Sequence, residues 1–296
     1  YRRQGIAGRV TYDFGNRYLA EFNFGYNGSE NFPNGQKFGF FPSASIGWVA
    51  SNEDFWKLKT ISYLKLRGSY GKVGNDQIGG ERFLYMTTID KNAPGYNFGE
   101  GNRYYAGMGE DKMGITNVTW EISKKANVGL DFKLFKDKLS FVVDAFWENR
   151  TGIFLKRQQI PGFTGYTSNS IPYGNIGIVK NKGIDASIEF KDNTKKGFYY
   201  SVLGNISFAR NKIIENDEPQ PKYSYLSGKG HAIGQPWGLI AEGIFQSDEE
   251  IANSPKQTFA TPKIGDIKYR DVNGDKVIDD YDRLPIGYPR TPEIMF

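Results

Sequence analysis

The chain has 296 residues, no cysteine, a net charge of +5 and a mean hydropathy of −0.55. These values exclude a disulfide framework and a thiolate metal centre, and they exclude transmembrane helices, which need about 20 consecutive apolar residues. The 38 basic residues are dispersed among 33 acidic ones, so the clustered charge of a nucleic-acid footprint is missing and no nucleic-acid partner is expected.

The opening YRRQGIAGRV carries charge but no apolar signal-peptide core, which implies a mature chain or one that begins inside a larger protein. Residues 9–26, RVTYDFGNRYLAEFNFGY, then read as two strands joined at Gly15-Asn16. Val10, Tyr12 and Phe14 share one face of the first, and Tyr18, Ala20, Phe22, Phe24 and Tyr26 one face of the second. The period of two gives each strand an apolar face and a polar face. The same alternation returns in Ala44–Ala50, in Leu64–Tyr70, in Ala126–Leu134 and in Leu139–Trp147. It recurs once more in Ile184–Phe190 and Phe198–Phe208.

That makes about eight strands of roughly 9–14 residues, longer than the 5–6 of ordinary globular strands and matched to the ~9–11 of a tilted membrane-crossing strand. Their connections alternate strictly in length. Gly15-Asn16, Ser51–Thr60, Lys136–Lys138 and Asp192–Gly197 are short; Asn27–Gly39, Asn75–Trp120, Thr151–Lys182 and the residues after Asn211 are long. Tight periplasmic turns and extended extracellular loops give this pattern in outer-membrane barrels. The expected fold is therefore all-β, part of a large antiparallel transmembrane barrel. Residues 1–210 would form strands against lipid, and 211–296 an extracellular loop region. A soluble all-β carbohydrate-binding module, with the aromatic faces buried in a sandwich core, is the alternative that the pattern leaves open.

Four ordered segments carry a resemblance. VTWEISKKANVGLDFKLFKDKLSFVVDAFWENRTGIF (118–154) precedes GNIGIVKNKGIDASIEF (174–190). GQPWGLIAEGIFQSDEEI (234–251) and GDIKYRDVNGDKVIDDYDR (265–283) follow. Their order and spacing resemble the barrel region of SusC/RagA-type TonB-dependent transporters of Bacteroidetes outer membranes. The resemblance implies an outer-membrane importer of oligosaccharides or, second, peptides, and no enzymatic activity. It implies TonB acting through a plug domain, a SusD-like surface lipoprotein partner, and membrane lipid or lipopolysaccharide around the barrel. Such barrels close with about 22 strands, so this chain reads as an internal piece with both ends on the extracellular side. PRTPEIMF at the end lacks the clean alternation of a closing strand.

Candidate site residues fall in two groups. Tyr104, Tyr105, Trp120, Tyr223, Tyr225 and Trp237 lie in or beside the long connections, where flat rings can stack on sugar faces; packing between loops is the other reading of each. In DVNGDKVIDDYD, the side chains of Asp271, Asn273, Asp275, Asp279 and Asp282 with the carbonyl of Val277 occupy positions 1, 3, 5, 9, 12 and 7 of a candidate Ca²⁺ loop. A polar turn in which these side chains cap their own backbone amides fits the same spacing. His231, the only histidine, has no partners for a triad or metal site. Asp144 and Glu148 share one strand face, which a barrel would turn to its lumen. A glycoside hydrolase would need a carboxylate separation that sequence does not supply.

Overall fold

A computed structural model describes residues 2–77, 82–165, 170–194 and 196–296. Parts of three expected connections, residues 78–81, 166–169 and 195, lie outside the described residues, as does residue 1. The chain forms two compact units, Tyr1–Asp217 with Glu293–Phe296, and Glu218–Pro292.

The first unit holds β1 (Arg3–Phe14), β2 (Tyr18–Ser29), β3 (Phe38–Val49), β4 (Ile61–Asn75), β5 (Thr88–Phe98), β6 (Arg103–Lys112), β7 (Glu121–Leu134), β8 (Leu139–Lys156), β9 (Tyr173–Asn193) and β10 (Tyr199–Glu215). The second holds β11 (Trp237–Gly238), β12 (Ala241–Ile244), the helix α1 (Asp248–Asn253), β13 (Lys256–Gln257), β14 (Ile267–Tyr269), β15 (Val277–Ile278) and β16 (Leu284–Pro285). Two residues of β17 (Ile294–Met295) return to the first unit and pair with Ser207-Phe208 of β10, despite the two prolines that precede them.

One antiparallel sheet runs in the order β1-β2-β3-β4-β7-β8-β9-β10-β17. Its eight long strands are the eight expected from the alternation, and several outrun their expected ends. β3 begins at Phe38 rather than in the forties, but Phe38–Pro42 pairs only with β2, and pairing to β4 starts at Ser43. Pro42 has no N–H to donate to a second neighbour, which accounts for that boundary. Ala50, expected on the β3 face, instead sits buried in the short 3-10 turn that follows. β8 and β9 continue well into the expected Thr151–Lys182 connection. Register shifts around Gly152, whose φ is +68°, add an extra residue there and break the alternation that sequence reading relies on. Inside Asn75–Trp120, expected as one long connection, the separate β5–β6 hairpin forms.

Residues directly opposite one another share a face, so the register assembles the strand faces into two surfaces. On one, Val10, Phe22, Ala44, Tyr70, Ala126 and Trp147 follow each other across six strands. Leu130, Val143, Ala186 and Ile206 extend the same surface farther along. Within the described chain this surface is uncovered: Val10 is 66% exposed, Ile46 70% and Val202 66%. A sandwich would bury these residues under a second sheet, and the second unit contributes only two-stranded ribbons. The soluble-module alternative therefore fails on the exposure of its own expected core.

Protein burial is concentrated at the long-connection end. Phe32, Leu84, Ile115, Val118 and Trp120 form a buried cluster that Phe41, Ile122, Phe154 and Tyr173 pack against. The side chain of Asn175 fastens this region by accepting from Thr119 N–H at 2.9 Å and donating to the carbonyls of Thr119 and Gly152 at 2.8 Å each. At the opposite end the turns are tight. Gly15 and Asn16, in the three-residue connection between the paired Phe14 and Tyr18, take φ of +58° and +53°, a left-handed conformation that glycine adopts freely and asparagine tolerates. Asn16→Val should therefore cost about 1–2 kcal/mol, read as a lower urea midpoint for unfolding from the membrane-reconstituted full-length protein.

Candidate functional site

The face opposite the apolar surface is polar and cross-linked by charge. Arg67 of β4 donates from Nε to Asp131 of β7 at 3.0 Å and from Nη2 to Asp144 of β8 at 2.5 Å. It reaches both because Gly129, which lies directly opposite Arg67 on β7 and directly opposite Asp144 on β8, has no side chain. A Cβ there would stand 2.5 Å from the guanidinium carbon. Asp185 of β9 lies opposite Asp144 and accepts from the Ser207 hydroxyl of β10. Farther toward the long connections, Glu148 accepts from Ser123 at 2.6 Å and faces Lys125 at 3.8 Å, while Glu121 pairs with Arg150. Arg9 and Glu21 make the equivalent bridge on β1 and β2. Asp144 and Glu148, adjacent on one strand face, are thus engaged in separate ion pairs. Exposed pairs of this kind contribute little individually; half-buried, networked and held by guanidinium geometry they stiffen a wall.

The candidate aromatic residues end up in different settings. Trp120 is 8% exposed; Phe32 and Phe41 lie against it with centroids 5.2 and 5.1 Å away, and its indole N–H donates to the Lys37 carbonyl. Its ring is core and has no free face for a ligand. Tyr104 and Tyr105 are exposed on β6. The Tyr105 ring meets Phe98 edge-on at 5.9 Å, and Phe98 meets Tyr96 at 5.4 Å, so the hairpin presents an aromatic cluster to which Tyr96 and Phe98 also belong. Those two escaped the sequence reading because shifts in the β5–β6 register hide their alternation. In the second unit Tyr223 and Tyr225 stack at 5.4 Å, Tyr281 closes edge-on, and Lys222 sits 5.0 and 4.8 Å from the rings of Tyr223 and Tyr281. Trp237 packs edge-on against His231 at 5.1 Å. Tyr223, Tyr225 and Trp237 are half-buried in their own unit, and Tyr281 is exposed.

The Asp-rich loop turns its oxygens inward to its own backbone. Asp271 accepts from Gly274 and Lys276 N–H at 2.7 and 2.8 Å, Asn273 from Asp275 N–H at 2.9 Å, and Asp275 from Val277 N–H at 2.9 Å. Asp279 and Asp282 form a reciprocal capping box, and Asp282, fully buried, also accepts from Val272 N–H at 2.8 Å. Among the described residues no three carboxylate or imidazole side chains converge as a metal cluster. Each of these bonds caps the loop's own backbone.

A sheet apolar on one surface, ion-paired on the other, with long connections at one end only, is the wall of a large outer-membrane barrel. The family model described as TonB dependent receptor-like, beta-barrel matches residues 1–284, and the chain belongs to that family, whose place is the outer membrane. TonB-dependent receptor P39 of Formosa agariphila is 30% identical over 283 residues, 93% of this chain and 26% of that protein. TonB-dependent receptor SusC of Bacteroides thetaiotaomicron is 31% identical over 209 residues, 70% of this chain and 20% of that protein. Among solved structures the RagAB peptide importer in its closed-closed state superposes with a TM-score of 0.74 at 19% identity, over 99% of this chain and 31% of that one. The chain thus spans about a quarter of its P39 relative and under a third of the RagAB chain.

Two predictions follow from the charge network and from the second unit. Arg67→Met leaves Asp131 and Asp144 without their donor and should cost about 1–3 kcal/mol, while adding Asp144→Asn should recover part of it; a double-mutant cycle by urea unfolding measures the coupling. In α1, the Gln246 N–H and the Lys268 ammonium hold the Glu250 carboxyl below its ordinary value. A depressed folded-state value stabilises the charged form above about pH 4.3, the unfolded glutamate value, and the benefit disappears as pH falls through the folded value. Hydrogen exchange of residues 247–253, corrected for intrinsic rates, should lose protection over that acid range, and Glu250→Gln should be insensitive to it.

Proposed function

We propose that this chain supplies part of the wall and outer rim of a TonB-energised importer of a nutrient oligomer, oligosaccharide before peptide, working with a SusD-like surface lipoprotein. The observation that carries the reading is the two-faced sheet. Its outward surface is solvated by lipid and its inward surface is lined with ion-paired, hydrated side chains, the boundary that a polar solute in transit requires. Its likeness in fold to the RagAB peptide importer, and its relationship to the receptor SusC, support an import role. The exposed ring of Tyr105, clustered with Phe98 and Tyr96, and that of Tyr104 on the other face of β6 favour a sugar ligand over a peptide: their flat faces suit pyranose rings, and neighbouring backbone groups can meet hydroxyls.

Uptake of labelled oligosaccharides and of labelled peptides by cells carrying the full-length protein tests the reading, with a TonB-deficient strain as the energy control. Oligosaccharide uptake that needs TonB and falls several-fold in Tyr104→Ala/Tyr105→Ala is expected. Uptake of peptides alone would move the substrate assignment, and uptake that ignores TonB would refute the mechanism.

A further inference from the structure

The lipid-facing surface carries an asymmetry of charge that import does not use. On β4 and β7–β10, polar residues interrupt each apolar outward face near its long-connection end, before Ile122 and Ile178 follow on β7 and β9. The apolar run ends at Tyr70, Ala126, Trp147, Ile184 and Phe208; next along the same faces come Lys72, Lys124, Asn149, Lys182 and Arg210, with Lys180 and Lys212 one step farther. The register aligns most of these into one transverse row. Lys72 is opposite Lys124, Lys124 opposite Asn149, Asn149 opposite Lys180, and Lys180 opposite Lys212. Lys182 and Arg210 are opposite one another in the adjacent row.

All six cations are exposed. Arg210 pairs with Glu293, whereas the described ion pairs give no carboxylate to Lys72, Lys124, Lys180, Lys182 or Lys212. The outward faces of the eight long strands hold two described carboxylates: Asp192 at the short-turn end, paired with Lys138, and Glu215 at the long-connection end, which the register shift in β10 brings opposite Ile178 and which accepts from the N–H groups of Asn216 and Asp217. Directly opposed side chains have Cβ atoms about 4.5–5.5 Å apart, and like charges at that separation are destabilising. Beside a hydrocarbon layer the repulsion is less screened than in water. A row of this kind is stable where anions lie between its members.

We propose that the row Lys72–Lys124–Lys180–Lys212, with Lys182 and Arg210 beneath it, binds the phosphate groups of lipids in the outer leaflet. The inference rests on the reading of the apolar surface as lipid-facing. The occupant follows from position and charge: the cations share the faces that lipid covers and begin directly beyond Tyr70 and Trp147, aromatic residues of the type that mark the headgroup level. An anionic headgroup is the neighbour met at that depth, and phosphate is the group that several ammonium donors can share.

The test uses the full-length protein purified in detergent, with lipid A, the same lipid stripped of phosphate, and inorganic phosphate as probes. Bound lipid is counted by native mass spectrometry on wild type, on Lys72→Gln/Lys124→Gln/Lys180→Gln/Lys212→Gln, and on the matching fourfold Lys→Arg variant. Phosphorylated lipid should bind the glutamine variant about tenfold or more weakly than wild type. The arginine variant should retain binding, and the stripped lipid should not distinguish the proteins. Equal binding of phosphorylated lipid to wild type and glutamine variant would overturn the proposal. So would inorganic phosphate alone displacing the lipid, or unchanged lipid with loss of a co-purifying protein, which would make the row a protein interface. If the wild type is recovered without detergent, the lipid-facing reading itself fails, a result distinct from any of these.

Discussion

The structure depends on one constraint: a strand crossing hydrocarbon must satisfy every backbone amide laterally, because lipid offers neither donor nor acceptor. Eight long strands in continuous antiparallel register meet that requirement from β1 to β10. Once backbone pairing is fixed, the period of two assigns each side chain to lipid or to the lumen, and a slip of one residue would invert the assignment along a whole strand. Polar side chains buried in the bilayer would make such a slip costly, so the alternation of Val10, Tyr12 and Phe14 with Arg9, Thr11 and Asp13 also pins the register.

The two surfaces then obey different physics. Outside, aromatic and aliphatic residues need no protein partner, which is why Ile46 and Val202 stay uncovered in a stable sheet. Inside, carboxylates and guanidinium groups can stay ionised because water and one another are within reach. Arg67 lying over Gly129 shows how the missing side chain of one strand lets the next two strands share a cation. Where the strands leave the bilayer the aqueous rules return. A buried cluster around Phe32, Val118 and Trp120 ties the long connections to the strand ends; within the second unit, taken by itself, polar self-capping shapes the Asp271–Asp282 loop.

Much of this was legible in the sequence, for identifiable reasons. Alternation is local, so the strands and their faces could be read directly, and short turns such as Lys136–Lys138 set the β7–β8 register that places Asp144 opposite Gly129. The Arg67 contact was not legible, because β4 and β7 pair across the long Asn75–Trp120 connection and nothing local fixes their register. The β5–β6 hairpin and the extensions of β8 and β9 were hidden by bulges that break the period. Among candidate site residues, composition could not separate Trp120, enclosed by Phe32 and Phe41, from Tyr104 and Tyr105, which stand exposed. The spacing of Asp271, Asn273, Asp275, Asp279 and Asp282 serves cation binding and amide capping equally, so it does not specify which backbone amides their oxygens meet in the fold.

The lipid-facing assignment is the central claim, and these 296 residues, which hold no cysteine, let it be measured directly once any cysteine elsewhere in the full-length protein is replaced by serine. Single cysteines placed in the full-length protein at Val10, Ile46, Val128 and Val202, and at Ser45, Asn127 and Ser187, can be challenged in membranes with a water-soluble maleimide and with a lipid-dissolved quencher of a thiol-attached fluorophore. The first four should resist the maleimide and be quenched from the bilayer, and the last three should show the reverse. Labelling of Val10, Ile46, Val128 and Val202 from water, without quenching from lipid, would contradict the account.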